Sequence, residues 1–255
     1  MRILTFIKPI KTSILYPNEQ RNEPFLINPY DAKVIDKLSA FKSRKDIELV
    51  CAAMGPAISD CVLYRAMASG IQAAYLLSDK SFAGADTVAT SYVLGKGIGK
   101  IGADVVAMGE KAADGETGQT PHGLAERLGY KCISGVEEII SIQGSVLTVK
   151  CKMRGGYKIV KTDTPVILIF HGLTTIRASF TLVELKRAKA KGITVWSADD
   201  IGADRDFCGV KGSRTVVVNI KDDLVKKNGE IIEALPTEAA MIIMEILHGK
   251  DLCYQ

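Results

Sequence analysis

Short apolar segments alternate with segments of helical period along this chain, and that alternation limits the fold more than any other feature of the sequence. The apolar runs predict strands at residues 2–8, 47–53, 72–77, 103–108 and 165–170. The helical periods predict helices at residues 31–41, 57–69, 86–98 and 117–128. Strands that alternate with helices are typical of a mainly parallel sheet covered by helices on both faces. We therefore predict an α/β fold.

A β-hairpin interrupts this alternation. Two strand-like segments, residues 145–152 and 157–163, flank Arg154-Gly155-Gly156. Gly-Gly supplies the positive φ angles that a tight hairpin turn requires. The pattern therefore predicts one antiparallel element beside the mainly parallel sheet.

The C-terminal part of the chain has a looser pattern. After about residue 192 the sequence predicts a strand at 215–220 and an amphipathic helix at 237–248. The sequence contains no long internal repeat and no Pro/Ser-rich linker. We therefore divide the chain into an α/β domain, residues 1–192, and a C-terminal arm, residues 193–255.

Composition argues against several classes of protein. Of the 255 residues 47% are hydrophobic, yet the longest apolar run, Pro165 to Phe170, is far too short to cross a membrane as a helix. The N-terminal apolar stretch is too short for a signal peptide, so we predict a cytoplasmic protein. A net charge of +4 gives only weak support to nucleic-acid binding, and no nucleic-acid partner is predicted. The six cysteines form no C-x-x-C pair, so no metal site is predicted.

The segment from Gly109 to Thr120 is the strongest candidate for a binding site. It follows the strand predicted at 103–108, precedes a predicted helix, and is rich in small and hydroxyl-bearing residues. Backbone N–H groups at such a junction bind phosphate at the positive end of a helix dipole. The alternative is an ordinary helix N-cap, with Asp114 or Thr117 satisfying the first turn. Composition alone favours the two interpretations equally.

The segment after the third predicted strand is a second candidate. Asp86 can cap the helix that follows. The loop tip from Phe82 to Ala85 is apolar, which suggests that another group covers it.

Other motifs carry no site. Gly97, Gly99 and Gly102 match G-x-G-x-x-G, but at the end of a helix and before a strand, which is the reverse of the order that a dinucleotide site requires. The histidines are isolated from one another in the sequence, at positions 122, 171 and 248. We therefore predict no catalytic residue in this chain.

Four separated motifs resemble the β subunit of electron transfer flavoproteins. They are Asn28-Pro29-Tyr30-Asp31, Met54-Gly55-Pro56, Ser78 to Ser91 and Gly109 to Gln119, in the order and spacing of that family. The resemblance covers about residues 1–200. It implies a doubly wound, Rossmann-like nucleotide-binding domain that pairs with a larger α subunit and wraps it with a C-terminal arm. It also implies electron transfer between flavin dehydrogenases and other carriers, with no substrate bond made or broken in this subunit.

The resemblance further implies which residues contact the cofactor. Matching positions in the first strand, in the Asn-Pro-Tyr-Asp segment and at Met54 contact the nucleoside, and the stretch from Gly109 to Thr120 wraps the phosphates. The full set carried over to this chain is Phe6, Asn28, Pro29, Tyr30, Asp31, Met54, Phe82, Gly84, Asp86, Thr87, Thr90, Gly109, Asp114, Gly115, Thr117, Gly118, Gln119 and Thr120.

Members of the family carry either AMP or a second FAD at this place. The segment from Ser78 to Thr87 is more similar to the flavin-bifurcating branch, in which NADH reduces the second FAD. The resemblance therefore implies FAD, with NADH as the electron donor and AMP as the alternative ligand. Phe82 and Gly84 would border the flavin ring, and Asp86, Thr87 and Thr90 would hydrogen-bond to flavin or phosphate oxygens.

Leu182 and the basic residues Lys186, Arg187 and Lys189 resemble the loop and helix that engage a partner dehydrogenase, such as an acyl-CoA or hydroxyacid dehydrogenase. A solvated helix face explains the same charges equally well. A different class of function also stays open, because the same fold serves nucleotide-sensing regulatory domains that bind AMP or ATP without redox chemistry. The four motifs favour electron transfer.

Overall fold

The computed structural model describes residues 1–17, 22–174, 180–216, 218 and 232–249. The chain divides into two compact units, Met1–Val216 and Val217–Gln255. The first unit contains the sheet and the helices that cover it. The second unit contains one described helix.

The strands of the first unit are β1 (Arg2–Phe6), β2 (Pro9–Lys11), β3 (Phe25–Ile27), β4 (Glu48–Met54), β5 (Ala73–Leu77), β6 (Val105–Gly109), β7 (Lys131–Gln143), β8 (Val146–Met153), β9 (Gly156–Asp163), β10 (Val166–Phe170) and β11 (Thr194–Trp196). Its α-helices are α1 (Thr12–Leu15), α2 (Pro29–Ser39), α3 (Asp60–Ala68), α4 (Thr87–Ile101), α5 (Gln119–Leu128), α6 (Leu182–Lys191) and α7 (Gly209–Gly212). Short 3₁₀ helices span Ala57–Ser59, Lys80–Phe82 and Arg205–Phe207.

The main sheet has nine strands in the order β11-β5-β4-β1-β6-β10-β7-β8-β9. Neighbouring strands from β11 to β7 run parallel, while β7, β8 and β9 are antiparallel. A separate antiparallel pair joins β2 to β3. The predicted α/β class, the five predicted strands and the β8–β9 hairpin are therefore confirmed.

The central strands are buried on both faces. Ile3, Val105 and Val166 lie in register and belong to the core on one side of the sheet. Their successors Leu4, Val106 and Ile167 belong to the core on the other side. Burial on both faces explains why these strands read as continuous apolar runs in the sequence.

Two strands of the main sheet, β7 and β11, are not predicted from the sequence. Much of β7 is exposed or half-buried, and its pairing with β8 shifts register twice, so no regular alternation of apolar residues marks it. The strand β11 has only three residues, which is too few for a periodic pattern. It pairs with β5 and lies at the edge of the sheet.

The first compact unit extends to Val216. The reason is that β11 completes the sheet, and Ala198, Ile201 and Cys208 belong to one of its cores. The strand predicted at 215–220 falls largely outside the described residues.

Helix α4 ends later than the sequence predicts. The helix runs three residues further than predicted, to Ile101, and Gly102 caps it in the left-handed conformation with φ of +73°. The G-x-G-x-x-G pattern is therefore a helix end.

In the second unit, helix α8 spans Pro236–Gly249, which confirms the predicted helix. Large apolar side chains on it are exposed: Met241, Ile243, Met244, Ile246 and Leu247. Within the described residues, no helix combines the length and apolar character needed to span a membrane.

Candidate functional site

The order of the strands reverses between β1 and β6. From β1 the chain proceeds outward to β4 and β5 on one side, then returns to β6 and β10 on the other. Crossover connections leave this point in opposite directions, which opens a crevice at the carboxyl ends of the strands where open α/β sheets bind ligands.

Asp31, in the first turn of α2, joins the two strands at this reversal. Its side chain is buried, and it accepts the backbone N–H of Lys8, just beyond β1, at 2.8 Å. Burial raises the pKa of Asp31 to about 7, although the N–H of Lys8, the Asn28 amide and the N–H of Gly109 lower it in part. Asp31 therefore connects the start of α2 to the ends of both central strands.

Asn28 fixes the segment that follows β6, residues 110–118, which we call the cradle loop. Its side-chain amide donates to the carbonyl of Lys111 at 2.9 Å, and its carbonyl oxygen accepts the N–H of Ala113 at 3.2 Å. Asn28 is only 1% exposed. The side chain therefore holds the loop backbone at two points.

Ion pairs between solvent-accessible side chains also fix the cradle loop. The ammonium group of Lys8 lies 2.7 Å from the carboxylate of Asp114, and that of Lys111 lies 3.3 Å from Glu116. Lys111 also lies over the ring of Tyr30, 5.5 Å from its centroid. The contacts with Lys8 and Tyr30 place the cradle loop against the end of β1 and the start of α2, and the pair of Lys111 with Glu116 links two residues of the loop itself.

The N-terminus of α5 has no side-chain cap. Gly118, with φ of +63°, occupies the N-cap position, and the hydroxyl of Thr117 lies 3.5 Å from the N–H of Gln119, at the limit for a hydrogen bond. Asp114, the other predicted cap, is paired with Lys8. Asp114 therefore does not cap α5, whereas Thr117 makes one long hydrogen bond to its first turn.

A groove of about 610 Å³ lies between α4 and α5, and we call it the α4–α5 groove. At the end of the groove where both helices begin, the hydroxyl of Thr87 donates to the side-chain oxygen of Gln119 at 3.3 Å. Its lining residues are Thr87, Val88, Ser91, Thr117, Gly118, Gln119, His122, Gly123, Glu126 and Arg127. The lining combines N–H groups at the start of α5, hydroxyl groups, the guanidinium of Arg127 and the carboxylate of Glu126. The N–H groups, the hydroxyls and the guanidinium suit a phosphorylated ligand, whereas the carboxylate of Glu126 disfavours one at its own end of the groove.

The sequence does not predict the wall that α5 contributes to this groove. His122, Gly123, Glu126 and Arg127 follow Gln119 at intervals of three, four, seven and eight residues, and so share one face of α5. That spacing is the signal in the sequence that identifies the wall, once α4 is known to face it.

The other predicted cofactor residues lie in several different settings. Thr87, Thr117, Gly118 and Gln119 line the groove. Pro29, Tyr30 and Gly109 lie at the strand reversal. Gly115 is an exposed residue of the cradle loop. Thr90 on α4 and Thr120 on α5 are half-buried. Phe6 and Phe82 are buried in the core and Met54 packs against it, while the side chain of Val210 lies against Gly84.

Asp86 is occupied by protein donors. One carboxylate oxygen caps α4 by accepting the N–H groups of Val88 and Ala89, at 2.9 and 3.0 Å. The other accepts the N–H groups of Arg214 and Thr215, at 2.6 and 3.0 Å. Desolvation raises the pKa of Asp86, but these four N–H donors outweigh it and hold the pKa below its usual value.

Glu110 and His171 form a pair that their separation in the sequence conceals. Nδ1 of His171 lies 2.8 Å from the carboxylate of Glu110, which also accepts the N–H of Gly172 at 3.2 Å. The pair ties the end of β6 to the end of β10. His171 is therefore paired in space, although it is isolated in the sequence.

The residues predicted to dock a partner lie on the surface of α6. Leu182 is 78% exposed, and Lys186, Arg187 and Lys189 are exposed along the same helix. A capping box between Thr181 and Glu184 fixes the start of this helix. The exposed side chains therefore stand on an ordered element.

Comparison with known proteins identifies the family. The sequence model of the electron transfer flavoprotein domain matches residues 19–201. The chain is 32% identical to the electron transfer flavoprotein subunit beta of Clostridium acetobutylicum over 241 residues, 94% of this chain and 91% of that protein. It is 33% identical to protein FixA of Bradyrhizobium diazoefficiens, over 84% of this chain and 76% of that one. It is also 32% identical to CarD of the Acetobacterium woodii caffeyl-CoA reductase-Etf complex, over 82% and 80%. Similarity of this extent shows that the chain belongs to the electron transfer flavoprotein family, with the β subunits as its relatives and a role in electron transfer.

Proposed function

We propose that this chain binds FAD at the strand reversal and along the α4–α5 groove, and that it passes electrons as one subunit of a heterodimer with an α subunit. NADH is the proposed donor, and a flavin-dependent dehydrogenase or reductase is the proposed second partner. The bound flavin supplies the redox chemistry. The residues of this chain bind it, orient it and exclude water from it.

The uncapped N-terminus of α5 is the observation that carries this proposal. The first turn of α5 faces the groove, its N-cap residue Gly118 has no side chain, and Asp114 is paired with Lys8. The hydroxyl of Thr117 reaches one N–H group, that of Gln119, only at the 3.5 Å limit for a hydrogen bond. A diphosphate fits such a helix terminus because N–H groups and the helix dipole both favour negative charge. Arg127 adds a cation further along the groove.

The volume of the groove is compatible with FAD. The lining extends from Thr87 and Gln119 at the helix starts to Glu126 and Arg127, two turns along α5. Its volume of about 610 Å³ lies within the range of pockets that hold cofactor-sized ligands. The proposed reductase partner agrees with the relative CarD, whose name places it in a reductase complex.

The proposed heterodimer rests on apolar surface. Helix α8 exposes Met241, Ile243 and Leu247, and exposed apolar helices of this kind mark protein interfaces. We propose that the second unit packs on the α subunit, and that Leu182 and the cations of α6 meet the dehydrogenase. The cytoplasmic location remains a prediction.

The experiment is a count of released nucleotides. The chain is co-purified with its α subunit, the complex is denatured, and the released FAD and AMP are separated and quantified. We expect two FAD per heterodimer. One FAD with one AMP would contradict FAD binding and leave electron transfer intact, whereas a complex without flavin would favour the nucleotide-sensing alternative.

Two helical glycines localise the bound nucleotide. Gly123→Leu fills the groove, because a Cβ added at Gly123 would lie 3.6 Å from the Ser91 hydroxyl and the rest of the leucine side chain would extend beyond it. We expect this variant to lose the nucleotide that the chain itself binds. Gly99→Leu is the matched control, since a Cβ at Gly99 meets open space on α4. Equal nucleotide content in both variants would place the site elsewhere.

A further inference from the structure

Asp86 connects two parts of the first unit that are far apart in the sequence. Its Oδ1 caps the helix α4, and its Oδ2 accepts backbone N–H groups 128 and 129 residues away, those of Arg214 and Thr215. The Thr215 hydroxyl adds a third contact to Oδ2 at 3.2 Å. One carboxylate therefore fixes a helix start and a distant chain segment together.

The segment around Arg214 is held to the same loop at further points. The N–H of Asp86 donates to the hydroxyl of Ser213 at 2.8 Å, and the N–H of Val210 donates to the carbonyl of Ala83 at 3.2 Å. Gly209 approaches the loop so closely that a Cβ there would lie 2.2 Å from the Ser81 carbonyl. Residues 213–215, which we call the exit segment, end one residue before Val216, the last of the first unit.

We propose that Asp86 couples occupancy of the α4–α5 groove to the anchoring of the exit segment, from which the chain continues into its second unit. The inference rests on the proposed function, because it takes the groove as the nucleotide site. The next two residues after Asp86, Thr87 and Val88, line that groove. A ligand that binds there and a segment that binds Asp86 therefore act on the same turn of α4.

The coupling follows from the sharing of one carboxylate. When the exit segment leaves, Oδ2 loses its N–H donors, and the carboxylate is free to rotate away from the geometry that caps α4. Rotation frays the first turn of α4 and displaces the groove wall at Thr87 and Val88. A ligand with higher affinity for the ordered wall shifts the population towards the anchored state. Linkage requires that release of the segment weakens the ligand by the same factor.

Hydrogen exchange on the full-length chain in its heterodimer tests the coupling. The amides of Arg214 and Thr215 report the anchor directly, and saturating FAD or AMP, added to complex stripped of this nucleotide, is the probe. We expect the probe to slow exchange of these two amides in the wild type. Asp86→Ser keeps a good N-cap but lacks the second oxygen. We expect it to speed their exchange about tenfold or more and to remove the effect of the probe.

Asp204 provides the matched control. It caps the short helix Arg205–Phe207 through the N–H of Asp206. Asp204→Ser therefore removes a capping carboxylate nearby, and we expect it to leave the effect of the probe on Arg214 and Thr215 intact.

The outcomes separate the two proposals because binding of the probe is measured independently. Probe that binds without slowing exchange at residues 214–215 would overturn the coupling and leave the nucleotide site standing. Probe that fails to bind would overturn the nucleotide site and the coupling with it. Slowed exchange that persists in Asp86→Ser would show that another contact transmits the effect, and would also overturn the role of Asp86.

Discussion

The buried carboxylate of Asp31 accepts the backbone N–H of Lys8 at 2.8 Å. Asp31 lies in the first turn of α2, and Lys8 follows the central strand β1. This single contact fixes the end of β1 to the start of α2, at the point where the strand order reverses. Burial of a carboxylate without a cation in direct contact is costly, and Asp31 meets that cost by binding protons more tightly than an exposed aspartate does.

Asp31 makes stability depend on pH near neutrality. Its pKa is raised from the usual 3.8 to about 7, mainly by burial, so between these values the folded chain binds a proton that the unfolded chain has lost. The contribution of Asp31 to the free energy of unfolding should therefore fall as pH rises from about 4 to 7 and level off above that. Asp31→Asn should flatten this slope, measured by denaturant unfolding at several pH values.

The control for Asp31→Asn is Asp36→Asn, on the exposed face of the same helix. This variant should keep the slope of the wild type between pH 4 and 7. If Asp31→Asn also keeps the slope, Asp31 is ionised throughout the range and the buried proton does not exist.

Asn28 should be required for an ordered cradle loop. Asn28→Ala leaves the carbonyl of Lys111 and the N–H of Ala113 without their partner, which should cost about 1–3 kcal/mol of stability. Because the cradle loop is then less ordered, Asn28→Ala should also lose bound nucleotide. Asn28→Asp keeps an acceptor for the N–H of Ala113 but sets a carboxylate against the carbonyl of Lys111, so it should lose nucleotide to a similar extent. Exposed Asn22→Ala should leave stability and bound nucleotide unchanged. Full nucleotide content in both Asn28 variants would mean that the ligand does not depend on this loop.

The parts of the fold that the sequence predicts are those with local causes. Val166 to Phe170 is buried along its whole length, so it appears as an unbroken apolar run. Asp86 appears as a helix cap because its partners Val88 and Ala89 are its neighbours in the sequence. Each pattern extends over only a few residues, and each can be read without the rest of the chain.

The parts that escape prediction depend on pairs far apart in the sequence. Oδ2 of Asp86 meets Arg214, 128 residues away, and nothing local at either residue marks that contact. His171 meets Glu110 only because β10 and β6 become neighbours in the sheet. Asp114 is a residue type that caps helices and it precedes α5, but its carboxylate is paired with the ammonium group of Lys8, 106 residues away in the sequence. In each case the tertiary partner decides between local alternatives.

Gly109 should not tolerate a side chain. A Cβ there would lie 2.7 Å from the carboxylate of Asp31 and 2.8 Å from the backbone of Tyr30, both in buried positions. Gly109→Ala should therefore destabilise the chain by about 1–3 kcal/mol and lower its nucleotide content. Gly115→Ala, where a Cβ meets open space, should change stability by less than about 1 kcal/mol. Thermal unfolding and nucleotide content of the two variants measure the difference, and equal behaviour would show that the strand reversal is looser than its geometry indicates.

Leu182 should matter for electron transfer and not for folding. Its side chain is 78% exposed, so Leu182→Glu removes little buried area, and the capping box of α6 does not involve the side chain. We expect an unchanged melting temperature, unchanged nucleotide content and normal assembly with the α subunit. Electron transfer with the partner dehydrogenase should slow about tenfold or more, since a charge replaces an apolar contact at an interface.

Exposed Val195 is the control for Leu182, since it lies on edge strand β11 with 54% exposure. Val195→Glu should leave the rate unchanged. The cations Lys186, Arg187 and Lys189 lie on the same helix as Leu182, so the wild-type rate should fall as ionic strength rises and screens them. A rate that is independent of salt and equally reduced in both variants would show that α6 is not the docking surface, and that its charges form an ordinary solvated helix face.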